Sequence, residues 1–149
     1  MKLKVYLDTS VFSALFDDRA PDRMLQTQQF WNRITEIDAV TSDLARRELE
    51  ATNDPLRRAE LLKLLGQVRV LPNDAQTEQL ARRYLEAGVF SRAMINDALH
   101  VASAVLNKQD VLVSWNFRHL VNRRRRALVN QVNASVGLQA VEILAPPEV

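Results

Sequence analysis

Five short apolar clusters recur along the chain with helical patterns between them, and that alternation constrains the fold more than any other feature. The clusters are Val5–Leu7, Ala39–Thr41, Val68–Leu71, Val111–Ser114 and Ala140–Leu144. Each has strand length, and the intervals fit amphipathic helices. Pro21 can open a helix running to about Ile37, and Ser42 can cap Leu44–Thr52. Pro55 can open Leu56–Leu65, which ends near Gly66, and Asn73 or Asp74 can cap Gln76–Ala87. Further helices fit Ile95–Asn107 and about His119–Val136, with Gly137 as a stop signal. Strands that alternate with helices imply an α/β domain around a mostly parallel sheet, because parallel neighbours need long crossover connections. In such sheets ligands gather beyond the carboxyl ends of the strands. Asp8 stands at one of those ends, and Trp115–Asn116 at another.

Composition narrows the chemistry available there. At 149 residues the chain is most simply one domain, residues 1–149, with material for a sizeable core. No apolar run approaches the roughly 20 residues that span a bilayer, and the N-terminus enters the first strand pattern without a signal peptide. The expected location is the cytoplasm. Cysteine is absent, which excludes disulfides, thiolate metal sites and a cysteine nucleophile. His100 and His119 are too few for a histidine-rich zinc site, so any metal would be a hard cation held by oxygen. The net charge of +2 is unevenly spread: five arginines and only two acids, Glu142 and Glu148, fall after Asp110. That asymmetry points weakly to an anionic partner.

Three carboxylates stand out. Asp8 ends an apolar strand and is followed by Thr9 and Ser10. In "SDLARRELEAT" a helical wheel gathers Leu44, Ala45, Ala51 and Thr52 on one face, and Glu48 lies in the middle of it. In "INDALHVASAVLN" the polar stripe is Asn96, His100, Ser103 and Asn107, whereas Asp97 flanks Val101 and Ala104. Each has a plain structural explanation: a helix cap for Asp8, an arginine partner for Glu48, a helix-dipole partner for Asp97. None explains why all three would approach the cleft of an α/β sheet. Two carboxylates about 5 Å apart repel by roughly 3 kcal/mol at an effective dielectric near 20. Three must take up a proton or a cation, and here Mg²⁺ or Mn²⁺ is the natural guest. Such a cation acidifies water and shields a phosphodiester, which suits a nuclease.

In order along the chain, "LDTSVF", "TSDLARREL", "NDALHVASA" and "DVLVSWNFRHL" resemble the PIN domain, and more closely the PIN toxins of bacterial VapBC-type toxin–antitoxin modules. The resemblance implies a three-layer α/β/α sandwich and Mg²⁺- or Mn²⁺-dependent endoribonuclease activity. It also implies a cognate antitoxin protein and a homodimer. By position, Asp8, Glu48 and Asp97 match the family's acidic residues, and Ser10 and Ser114 match small polar positions that support the site. Where many PIN domains place a fourth acid this chain has Asn116, whose amide oxygen can still serve a metal or its water. The missing charge leaves open a second reading, a PIN-like module that binds RNA or protein without cutting.

Other residues carry less. His100 is read as supporting or merely solvated, and His119 as a phosphate contact or a surface residue at a helix start. Arg123 to Arg126 wrap around their helix, yet Arg118, Arg124 and Arg125 remain candidates for RNA backbone contacts. Trp31 is spaced like a core or interface residue, and aromatics are too few for an extended stacking platform. Dehalogenase-type phosphatases and receiver domains also end a first strand on an acid. The former expects a second acid where Ser10 stands; the latter expects an acid pair and a late lysine that are missing.

Overall fold

The computed structural model describes residues 1–149 and contains five strands, β1 (Lys4–Leu7), β2 (Asp38–Ser42), β3 (Arg69–Leu71), β4 (Val111–Val113) and β5 (Glu142–Leu144). They form one sheet in the order β3-β2-β1-β4-β5, and every neighbouring pair is parallel. The helices are α1 (Thr9–Ser13), α2 (Pro21–Asn32), α3 (Asp43–Glu50), α4 (Pro55–Leu65), α5 (Ala75–Glu86), α6 (Ile95–Leu106) and α7 (Arg123–Ser135).

Strand alternation sorts the side chains into two cores. Val5, Leu7, Val111 and Val113 pack with Val11, Phe12, Phe30, Trp31, Leu49 and Leu61 on the α1–α4 side. Tyr6, Val40, Leu112 and Ile143 pack with Ala81, Tyr84, Val101 and Val129 on the α5–α7 side. The result is an α/β/α sandwich. Trp31 belongs to the first core, where it lies against Phe12 and donates its indole N–H to the Val11 carbonyl at 3.0 Å.

Local chemistry sets most element ends. Pro21 and Pro55 occupy first helical turns, and Asp54 caps α4. Asp74 and Thr77 form a reciprocal capping box on α5. Gly88 and Gly137 follow α5 and α7 at φ +76°, where a residue with a Cβ would be strained.

Two expected helices begin or end elsewhere. The helix from Pro21 stops at Asn32, and a separate 3₁₀ turn covers Ile34–Glu36. The last helix begins at Arg123 rather than His119, because Asn122 caps it by accepting from the Arg125 N–H at 2.8 Å. Residues 114–119 are therefore a turn, which matters for the site. The order in which strands are added reverses between β1 and β4, the switch point where α/β sheets open a crevice. Asp8 and Ser114 both lie there.

Candidate active site

Asp8 occupies the position before α1, but its side chain makes no capping hydrogen bond to that helix. Oδ2 instead accepts from the Ser10 hydroxyl at 2.9 Å and from the Ser114 hydroxyl at 2.5 Å. Each serine is held in turn by a backbone N–H: Trp115 donates to Ser10 Oγ and Asn116 to Ser114 Oγ, both at 2.9 Å. The carboxylate is only 6% exposed. Two hydroxyls thus fix one oxygen of a buried anion, and the other is left without a hydrogen-bond donor.

Glu48, on α3, meets a second cluster. Its Oε1 accepts from Thr9 Oγ1 at 2.8 Å and lies 2.7 Å from His100 Nε2. Burial alone would push Glu48 up, but the hydrogen bond and charge of His100, with Thr9 and Asn96, hold it below the ordinary glutamate range. His100 is itself 2% exposed, and its Nδ1 lies 2.7 Å from the Tyr6 hydroxyl, which reaches Ser42 Oγ at 2.7 Å. Burial opposes the charged imidazole, yet Tyr6, Glu48 and Asp8 together raise it well above the usual histidine value. Asp8 Oδ1 is 3.6 Å from the same nitrogen.

The reading of His100 as solvated is corrected here. The polar stripe of α6 faces inward at His100 and Ser103, both buried, because α6 lies between the sheet and α5. Ser42 departs similarly: it sits at the cap position of α3 but turns its hydroxyl to Tyr6.

Asp97, in the first turn of α6, is half-buried and lies 3.0 Å from His119 Nδ1. Burial and the charge of Asp8 raise its pKa, while His119 and His100 pull it down. Asp97 therefore feels Asp8 as a like charge. His119 does not start a helix; it ends the turn after β4, and its N–H donates to Asn116 Oδ1 at 2.9 Å. The Asn116 oxygen weighed as a metal donor is thus engaged by the turn, with one lone pair remaining.

The acids offer oxygen donors of the kind a hard cation takes. The ion-pair partners of Asp8, Glu48 and Asp97 are histidines alone, with no lysine or arginine among them. Asp97 feels Asp8 as a like charge, and Mg²⁺, which usually keeps several waters, can be held by as few as one or two carboxylates. Glu48 already has a cationic neighbour in His100, and no three acids or histidines stand close enough together to enclose a metal.

Arg118, Arg124 and Arg125 share an open pocket of about 420 Å³ with Phe90, Ser91 and Asn122. Arg125 rests on the Phe90 ring at 4.8 Å, donates to the Val89 carbonyl, and is close enough to Asp97 to feel its charge. A basic pocket therefore borders the acidic centre.

The sequence model of the PIN domain matches residues 5–119, which contain all three acids and the serines around Asp8. The chain belongs to the PIN domain family. Among curated proteins none matches the sequence. Several solved structures are similar to this PIN domain, two of them as follows. One is VapBC2 from Rickettsia felis bound to a DNA fragment from its promoter, at TM-score 0.59 and 10% identity, covering 95% of this chain and 97% of that one. The other is VapC20 from Mycobacterium tuberculosis, a sarcin–ricin loop cleaving toxin, at TM-score 0.54 and 19% identity, covering 72% of this chain and 86% of that one. At these identities the likeness is one of fold. No helix is long and apolar enough to cross a membrane.

Tyr6 is a part of the site that apolar patterning did not single out for a role. The available signal was a phenol inside an otherwise apolar strand, whose hydroxyl needs a buried partner.

Proposed function

We propose that this PIN domain is a metal-dependent endoribonuclease that cleaves RNA phosphodiester bonds and serves as the toxin of a toxin–antitoxin pair. The observation that carries the reading is Asp8 and Asp97 near the sheet's switch point: Asp97 feels Asp8 as a like charge, and neither forms an ion pair with a lysine or arginine. A binding module has little reason to maintain that repulsion.

Asp8 and Asp97 would hold Mg²⁺ or Mn²⁺, with Glu48 and Asn116 beside them. The cation supplies an acidified water and shields charge on the phosphodiester. Ser10 and Ser114 hold one oxygen of Asp8 and so fix the carboxylate, whose second oxygen lies 3.6 Å from His100 Nε2. His100 and Thr9 hold Glu48, and His119 holds Asp97. Arg118, Arg124 and Arg125 supply positive charge for the strand on either side of the cut. The VapBC2 and VapC20 likenesses support an antitoxin partner and RNA as substrate; a homodimer rests on the family resemblance.

The test is cleavage of total bacterial RNA by purified, antitoxin-free protein with Mn²⁺, with Mg²⁺ and with EDTA, with Asp97→Asn alongside. Discrete cuts that require metal and vanish in the variant are expected. Equal cutting by both proteins would place the activity elsewhere, and absence of both cutting and metal binding would favour the non-cutting module.

A further inference from the structure

The turn after β4 touches both of the paired acids. Ser114 at its start donates to Asp8, and His119 at its end lies on Asp97. Phe117 is between them. Three residues of trans chain span at most about 11 Å, so its backbone stays within that distance of Ser114 and closer still to His119.

Phe117 is 46% exposed and is the only aromatic among the large apolar side chains at the surface. Its position is well held. The backbone N–H donates to the Trp115 carbonyl at 2.9 Å, and the carbonyl accepts from Asn122 Nδ2 at 3.0 Å. The ring meets the Trp115 ring edge-on, with centroids 6.1 Å apart. Trp115 is buried and anchored through its indole N–H to Thr27 Oγ1 at 2.9 Å. From α2, the Arg23 guanidinium lies 5.0 Å from the Trp115 centroid and 5.9 Å from that of Phe117. A rigid exposed ring beside an arginine is preorganised to bind; nothing in its own packing calls for the exposure.

We propose that Phe117, with Arg23 beside it, is the stacking site for an unpaired nucleobase of the RNA strand whose phosphate lies at the Asp8–Asp97 centre. The inference rests on the nuclease reading and adds a substrate property to it. A base offers a π-face to an aromatic ring whatever its identity, and the neighbouring cation favours the polyanionic strand that carries it. In a duplex that face is covered by the stacked neighbours, so the site selects looped or single-stranded RNA. Arg23 and Arg118, both exposed and flanking Phe117, favour nucleic acid over an apolar protein segment as the occupant.

The experiment is fluorescence anisotropy in EDTA with a short fluorescein-labelled single-stranded RNA, and with the same strand annealed to its complement. Phe117→Ala is expected to weaken single-strand binding about tenfold and to leave duplex binding unchanged. Phe117→Tyr and Phe117→Trp should bind like the parent, which separates stacking from a folding defect. The proposal is overturned if Phe117→Ala binds the single strand as tightly as the parent, or loses both probes equally. It is also overturned if the substitution alters only the sedimentation of the protein, which would make Phe117 a protein contact. If the parent itself binds neither probe, the nuclease reading fails with it; if the parent binds and the alanine variant is unaffected, stacking alone fails.

Discussion

Replacing Ser114 with alanine probes how the buried carboxylate is held. The Ser114 hydroxyl donates to buried Asp8 Oδ2 and accepts from the N–H of partly buried Asn116. A hydrogen bond to a charged group contributes about 1.5–3 kcal/mol, and an orphaned backbone donor costs about 1 kcal/mol more. Ser10 still donates to the same oxygen, so the carboxylate is left with one hydroxyl rather than none. The expected destabilisation is about 3 kcal/mol. In urea unfolding, with a slope near 2 kcal/mol per molar, the midpoint falls by about 1.5 M without a change of slope. In an Asp8→Asn background the same substitution loses its charged partner and costs about 1 kcal/mol. Both melts belong in metal-free buffer, where no cation substitutes for the missing donor. A loss below about 0.5 kcal/mol in the parent background, or equal losses in both, would mean that Ser114 does not stabilise the Asp8 charge.

Three further outcomes follow from the same geometry. Asp97→Asn removes a carboxylate disfavoured by burial and by Asp8, so metal-free stability should hold or rise in thermal melts while RNA cleavage is lost; a clear fall would mean that His119 more than compensates the repulsion. His100 has a raised folded pKa, so its contribution is fully present below the unfolded value of 6.5 and is lost as pH rises through the folded one. Urea melts in EDTA should therefore lose stability on the alkaline side, and His100→Gln should flatten that slope. Neutralising Arg124 and Arg125 together should weaken RNA binding and reduce its salt dependence by up to about two units of slope; an unchanged slope would remove their pocket from the substrate path.

Much of the architecture was legible because parallel strands and their helices leave opposite periodicities in the sequence. Capping residues such as Asp54 and Asp74 did mark helix starts, but Ser42 did not use its side chain that way, since Tyr6 offers a buried partner. Asp8, Glu48 and Asp97 drew attention as acids on apolar surfaces. Periodicity failed at His100 because a polar stripe marks one side of a helix without saying whether that side meets water or a cleft. It failed again at residues 119–122, where asparagine side chains hold a turn that apolar spacing alone would continue as helix. Phe117 could not be placed at all from sequence: its ring lies beside Arg23, which comes from α2, far away along the chain.

The most direct measurement of the central claim is Mn²⁺ titration calorimetry on the metal-free protein and on Asp8→Asn, Asp97→Asn and Glu48→Gln. Mn²⁺ binding should be lost in both aspartate variants and weakened less than tenfold in Glu48→Gln, because Glu48 already has His100 as a partner. Absence of Mn²⁺ binding in the parent, or binding that survives Asp97→Asn intact, would contradict that claim.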